Sequence, residues 1–340
     1  MRGLVRLLAA LLTAAALAAV AGACGEKSES SNATPPKRNL DVVLDWFPNP
    51  DHVAIYEARA KGYFEQVGLD VKTHVPSDPA SPIKQVAAGR ADLAISYEPE
   101  VLLARQQGLP VVAVAALVQR PLTAVIATRK SGVRSVRDLR GKRVGTAGIP
   151  YQSAYLKTIL GRAHVPVGSV KETNVGASLL PATLSGKVDA TLGGFWNVEG
   201  IELKSRGAKP WIEPVDKLGV PDYDELVLVA NSDKLAGKRD ALRLFISALA
   251  RGANAARSDP RGAAKALLDA NRDLKRKETT ASVRVTIPTL FPKGNRPWGY
   301  MDPVAWRNYG GWMVSNGVLK DLPDIGKALT NDLLPGQGLG

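Results

Sequence analysis

The chain has 340 residues, 45% of them hydrophobic and 23% charged, a formal net charge of +13 and one Cys. This composition excludes a disordered or fibrous chain and leaves room for two domains, and a lone Cys excludes an internal disulfide. The excess Lys and Arg are spread along the chain, and the densest run, KRDALRLFISALARGANAARSDPRGAAKALL, interleaves them with apolar helical spacing. That pattern reads as a solvated helix face, and no nucleic-acid partner is expected.

Arg2 and Arg6 precede an apolar run from Leu7 to Val20, which Ala21-Gly22-Ala23-Cys24 follows. A basic start, a short apolar stretch and small residues before a cut read as a secretory signal over residues 1–23. The run is short for a membrane span, which needs about 20 residues. Cys24 behind small residues resembles a bacterial lipobox, departing from it at Ala21, where a larger aliphatic residue is usual. The resemblance implies lipidation at Cys24 and a protein held on the outer side of the cell membrane. The other reading is an ordinary signal peptide with an incidental Cys. GEKSESSNATPPKRN is polar, with Ser and Pro, and reads as a tether over 24–38.

From residue 39, strand and helix patterns alternate. NLDVVLDW is a strand, stopped by Pro48 and Pro50. HVAIYEARAKGYFEQVG is a helix ending at Gly68, LDVKTHV a strand, and SPIKQVAAGR a helix capped by Ser81 with Pro82 at its first position. ADLAIS is a strand, VLLARQQG a helix, and VVAVAALV and TAVIATR are strands. A second round runs KRVGTAG, QSAYLKTILGRA, VKETNV, LLPATLSG and VDATLGG, followed by the strand DELVLVA and a helical tail from Gly237. Such alternation predicts mostly parallel sheets flanked by helices.

The two rounds match locally. Gly89-Arg90-Ala91-Asp92-Leu93 parallels Gly186-Lys187-Val188-Asp189-Ala190, and each strand runs on into aromatic and acidic residues. Those residues are Tyr97-Glu98 in the first round and Phe195-Trp196-Asn197-Val198-Glu199 in the second. Ligands of open α/β sheets bind beyond the carboxyl ends of strands, which is where both clusters and Trp46-Phe47-Pro48-Asn49 fall.

LDWFPNPDHVAIYEARAKGYFEQVGLDV, AAGRADLAISYEPE, QGLPVVAVAALVQRP, LRGKRVG and GKVDATLGGFWNVEG resemble the NMT1/THI5-like group. That group contains solute-binding proteins of ABC importers and related synthases of the thiamine pyrimidine. The resemblance implies the type II periplasmic-binding-protein fold, two α/β lobes joined by two crossing strands with the ligand between them. TAVIATR and DELVLVA are the expected crossings. The expected division is 39–127 for the first part of lobe 1, 128–225 for lobe 2 and 226–340 for the return to lobe 1. The synthase branch consumes one of its own histidines and carries a Cys-rich run. Here Glu100 falls where that histidine would lie, so the resemblance implies a binding protein and not an enzyme. The implied partners are a small aromatic heterocycle, most specifically hydroxymethylpyrimidine or an aminopyrimidine relative, and the permease subunits. Riboflavin or another aromatic solute is the alternative ligand. A monomer without a cofactor is expected.

A pyrimidine is a flat ring with nitrogen donors and acceptors at its edge. Aromatic faces can sandwich it, and polar groups in its plane can read the edge. Trp46, Tyr97 and Trp196 are the stacking candidates. Asn49, Glu98, Asn197 and Glu199 are the edge readers, with His52 a further donor. The turn TAGIPYQSAY could set Tyr151, Gln152, Ser153 and backbone N–H groups against a polar or anionic part of the ligand. His52, His74 and His164 are scattered and far from Cys24, so no metal site is expected. Two other classes stay open on the residues alone. One is an enzyme acting through Glu98, Glu100 or Glu199. The other is a basic protein binding anionic polymers.

Overall fold

The computed structural model describes residues 38–336. The expected leader, Cys24 and almost all of the expected tether lie outside those residues. The described strands are β1 (Arg38–Val43), β2 (Leu69–His74), β3 (Leu93–Ser96), β4 (Val111–Val118), β5 (Thr123–Ala127), β6 (Arg143–Thr146), β7 (Lys171–Asn174), β8 (Ala190–Phe195), β9 (Trp211–Pro214) and β10 (Leu226–Asn231). They form two five-stranded sheets, ordered β2-β1-β3-β10-β4 and β7-β6-β8-β5-β9. β4 and β10 are buried at every position and rich in Val, as strands covered on both faces must be.

The two sheets share one plan. In the first, β1 runs parallel to β2 and β3, and β10 is antiparallel to β3 and β4. In the second, β6 runs parallel to β7 and β8, and β5 is antiparallel to β8 and β9. The antiparallel intruder of each sheet is the first strand after a crossing. The chain therefore crosses twice, at 119–122 and at 215–225. TAVIATR belongs wholly to the second sheet, so that sheet begins at Thr123 and not after Ala127. The helical spacing of the sequence said nothing of β9, which is short and half-buried.

The internal repeat has a mechanical reason. The Asp92 carboxylate accepts from the N–H of Asp41 on β1 at 2.8 Å, and the Asp92 N–H donates to the Asp41 carbonyl. Asp189 does the same with Arg143 on β6. Each Asp thus pins its strand to the parallel neighbour, and the Gly before it takes a left-handed turn, φ +69° at Gly89 and +75° at Gly186.

The helices are α1 (Val53–Ala60), α2 (Tyr63–Gln66), α3 (Pro82–Ala87), α4 (Glu98–Gln106), α5 (Gln152–Arg162), α6 (Leu179–Ser185), α7 (Glu199–Ser205), α8 (Leu235–Ser258), α9 (Pro260–Ala270), α10 (Arg276–Thr286), α11 (Pro303–Ser315) and α12 (Ile325–Ala328). HVAIYEARAKGYFEQVG is two helices, because Gly62 at φ +67° breaks the ladder between α1 and α2. In WGYMDPVAW, Asp302 caps α11 through the Val304 N–H, and Trp298, Met301 and Trp306 are buried. α8 lies across α1, and a Cβ on Gly252 would meet the Ala54 carbonyl oxygen and Ala58 Cβ. Gly252→Ala is expected to cost about 1–3 kcal/mol by forcing the two helices apart, seen as a lower denaturation midpoint.

Candidate functional site

The carboxyl ends of β1, β3, β6 and β8 face one another across the two sheets. Between them lies a cavity lined by residues of both lobes. The first lobe contributes Asp45, Trp46, Asn49 and Tyr97, and the second contributes Ala147, Ile149, Tyr151, Gln152, Leu179, Gly193, Phe195, Val198 and Glu199. Thr123, the first residue of β5, completes the lining.

The wall from β1 is built by the turn that Pro48 and Pro50 force. Asn49 caps it: its Oδ1 accepts from the Asp51 N–H at 2.8 Å, and its Nδ2 donates to the Phe47 carbonyl at 3.1 Å. In return the Asn49 N–H donates to His52 Nδ1 at 3.3 Å, a reciprocal capping box. With Nδ1 accepting, the ring proton sits on Nε2, which donates to Asp45 Oδ1 at 2.8 Å. Tyr97 donates its hydroxyl to Asp45 Oδ2 at 2.9 Å. Burial pushes the Tyr97 phenol well above its ordinary range, so it stays a donor. Asp45, fully buried, is thus gripped by one donor per oxygen while the carboxylate borders the cavity.

The wall from the second lobe is built on β6 and β8. Gln152 lies at the start of α5, with Oε1 accepting from the Ala147 N–H at 2.8 Å. That bond orients the amide, and Nε2 has no partner among the described residues. Nε2 passes over Gly193, whose φ of +115° and missing Cβ leave the room. Glu199 opens α7, and its Oε2 accepts from the Phe195 N–H at 2.8 Å. Burial raises the Glu199 carboxyl to about 7, against two backbone hydrogen bonds that lower it. At neutral pH it can therefore accept a hydrogen bond or donate one. Among the described residues, no three His, Cys, Asp or Glu side chains group so as to hold a metal ion.

Trp46, Asn49, Tyr97, Tyr151 and Glu199 of the expected site residues border this cavity. His52, Glu98, Trp196 and Asn197 do not. His52 is buried behind Asp45 and acts on it. Glu98 follows cavity-lining Tyr97 but turns the other way: Oε2 accepts from the Asp224 N–H at 2.7 Å, and its N–H donates to the Asp224 carbonyl. Trp196 follows cavity-lining Phe195 and also turns away, donating Nε1 to the Pro121 carbonyl at 3.2 Å. Phe195, the last residue of β8, thus takes the place expected for Trp196 in the turn that follows. The two displaced residues do matching work, each fastening one crossing to a lobe. Asn197 is buried between lobes, donating Nδ2 to Asp51 Oδ1 and to Thr286 Oγ1, both at 2.7 Å. Glu100 is buried beneath β3, bonded by the Ser96 hydroxyl at 2.7 Å, and burial raises it to about 7.

Sequence reading missed Asp45, Thr123 and Phe195. Asp45 had one signal, a charged residue directly after the apolar run Val42-Val43-Leu44. The anionic role offered for TAGIPYQSAY also changes. The Ala147 N–H is taken by Gln152, and the Gln152 N–H by the Ile149 carbonyl.

The crossings meet at Glu225. Its carboxylate accepts from the N–H groups of Leu122 and Thr123 at 2.6 and 2.8 Å, and from the Thr123 and Tyr223 hydroxyls at 2.9 Å. Burial still raises it to about 7, with these donors opposing. Glu100 and Glu225 hold protons more firmly when folded than unfolded, so they stabilise the fold most below about pH 4, and that contribution is lost as pH rises through 7. Each is worth up to about 3 kcal/mol across that window. The melting temperature is expected to rise from pH 8 to pH 5.5, and Glu225→Gln should flatten that slope.

The NMT1/THI5-like family model matches residues 49–263. A Haemophilus influenzae protein named for thiamine biosynthesis is 34% identical over 83% of this chain and 88% of its own length. The chain belongs to the NMT1/THI5-like family. Another relative is the formylaminopyrimidine-binding protein of Halalkalibacterium halodurans, 35% identical over 83% of this chain and 86% of that one. Among solved structures, the alkanesulfonate-binding protein of Xanthomonas axonopodis pv. citri superposes with a TM-score of 0.69, at 15% identity, over 87% of this chain and 99% of that chain. That likeness carries the two-lobed fold, which this NMT1/THI5-like chain shares.

Proposed function

We propose that the chain is the extracytoplasmic solute-binding component of an ABC importer, a binding protein and not an enzyme. It captures an aminopyrimidine of the thiamine-precursor type and presents it to the permease subunits. The observation that carries this reading is the cavity. It brings the aromatic side chains of Trp46, Tyr97 and Phe195 together with the carboxyl groups of Asp45 and Glu199. Stacked aromatic pairs add about 0.5–1.5 kcal/mol beyond burial. A carboxylate suits an exocyclic amino group, as it does on a cytosine edge, and Gln152 Nε2 offers a donor to a ring nitrogen or a substituent oxygen. The relative that binds formylaminopyrimidine supports the ligand class. Ligand bridging both walls would favour the closed arrangement of lobes, the form a permease would read. Anchoring through lipidated Cys24 and a monomeric state complete the reading.

A thermal-shift panel of aminopyrimidines, flavins and other aromatic heterocycles tests it. A ligand that binds only the folded state raises the melting temperature by mass action. Aminopyrimidines are expected to give the largest shift. No shift with any aromatic heterocycle would sink the reading, and a shift with flavins alone would replace the ligand.

A further inference from the structure

We infer that the cavity accepts a pyrimidine whose substituent is neutral and excludes its phosphate ester. The inference rests on the ligand class proposed above and adds a selection within it. A phosphate monoester carries about −1.5 to −2 charges at pH 7 and three strong acceptor oxygens. Holding it needs cations or convergent N–H donors. Among the described residues, no Lys, Arg or His lines the cavity.

Several backbone donors around it are already taken. The Ala147 N–H is taken by Gln152 Oε1, the Phe195 N–H by Glu199 Oε2, and the Leu122 and Thr123 N–H groups by Glu225. At the start of α5 the Gln152 N–H is also taken, by the Ile149 carbonyl. The lining instead brings two carboxyl groups, Asp45 and Glu199, with Asp51 and Glu225 buried nearby. A buried anion without a partner is strongly disfavoured, and a like charge beside it adds to the penalty. A hydroxyl or amide oxygen meets the opposite situation, since Gln152 Nε2 is an oriented donor with no partner among the described residues. Wherever the source is a phosphate ester, a hydrolase releasing inorganic phosphate with water must act before capture.

Calorimetric titration of the full chain at pH 8 tests this. The probes are formylaminopyrimidine, 4-amino-5-hydroxymethyl-2-methylpyrimidine and the phosphate ester of the latter. The alcohol is expected to bind at least 100-fold more tightly than its ester. Glu199→Gln and Asp45→Asn remove charge at near-constant volume, and at least one should narrow that ratio about tenfold. A merely structural role would weaken alcohol and ester together and leave the ratio unmoved. An ester that binds within threefold of the alcohol overturns the proposal alone. So does a ratio that neither variant moves. Failure of both neutral compounds to bind overturns the ligand reading and takes the proposal with it.

Discussion

Replacing Asp45 with Ala is expected to weaken capture of an aminopyrimidine at least a hundredfold, read by calorimetry on the purified protein. Three losses combine. The ligand's amino group loses its acceptor, and His52 Nε2–H and the Tyr97 hydroxyl lose the oxygens that now take them at 2.8 and 2.9 Å. Removing one partner of a buried, hydrogen-bonded charged group costs about 2–5 kcal/mol, largely because the other groups stay buried and unpaired. Tyr97→Phe separates the contributions. It keeps the ring and removes one donor to Asp45, so the expected loss is about tenfold or less. An Asp45→Ala protein that binds within threefold of the parent would take Asp45 out of the site.

Asn197→Ala is expected to loosen the closed form and weaken binding by roughly ten- to a hundredfold, although Asn197 does not border the cavity. Its amide holds Asp51 and Thr286 across the lobes, and the Ser282 hydroxyl donates to its carbonyl. Two such bonds are worth about 1–3 kcal/mol net, and apparent affinity falls with the fraction of molecules that are closed. The latch is also imperfect, since Asp51 Oδ2 and Asn197 Oδ1 are buried without partners. Burial raises the Asp51 carboxyl well above its ordinary range, against the Asn197 hydrogen bond that lowers it. An orphaned buried acceptor costs about 1–3 kcal/mol, and opening returns it to water. Small-angle scattering of the ligand-free protein should show a larger radius of gyration for Asn197→Ala. Unchanged scattering together with unchanged affinity would disconnect the latch from closure.

Local chemistry made much of the architecture legible. Alternating strand and helix patterns, the Gly-basic-x-Asp repeat and the prolines after β1 all act within a few residues of themselves. They determined two similar α/β halves, the turn at Trp46–Pro50 and the strand ends where a ligand could sit. The family motifs added the importer class. Which way a side chain points at the end of a strand was not legible. Tyr97 and Glu98, or Phe195 and Trp196, are equally plausible ligand residues on paper. The pull of the crossings at Asp224 and Pro121 separates them. The side-chain partners of Asn197 lie 146 and 89 residues away and the crossing partners of Glu225 about a hundred, whereas His52 finds Asp45 only seven residues back. Only the tertiary structure could turn Asn197 into a latch and Glu225 into a clasp. Composition and periodicity are sums over neighbours along the chain, whereas a site is made by neighbours across it.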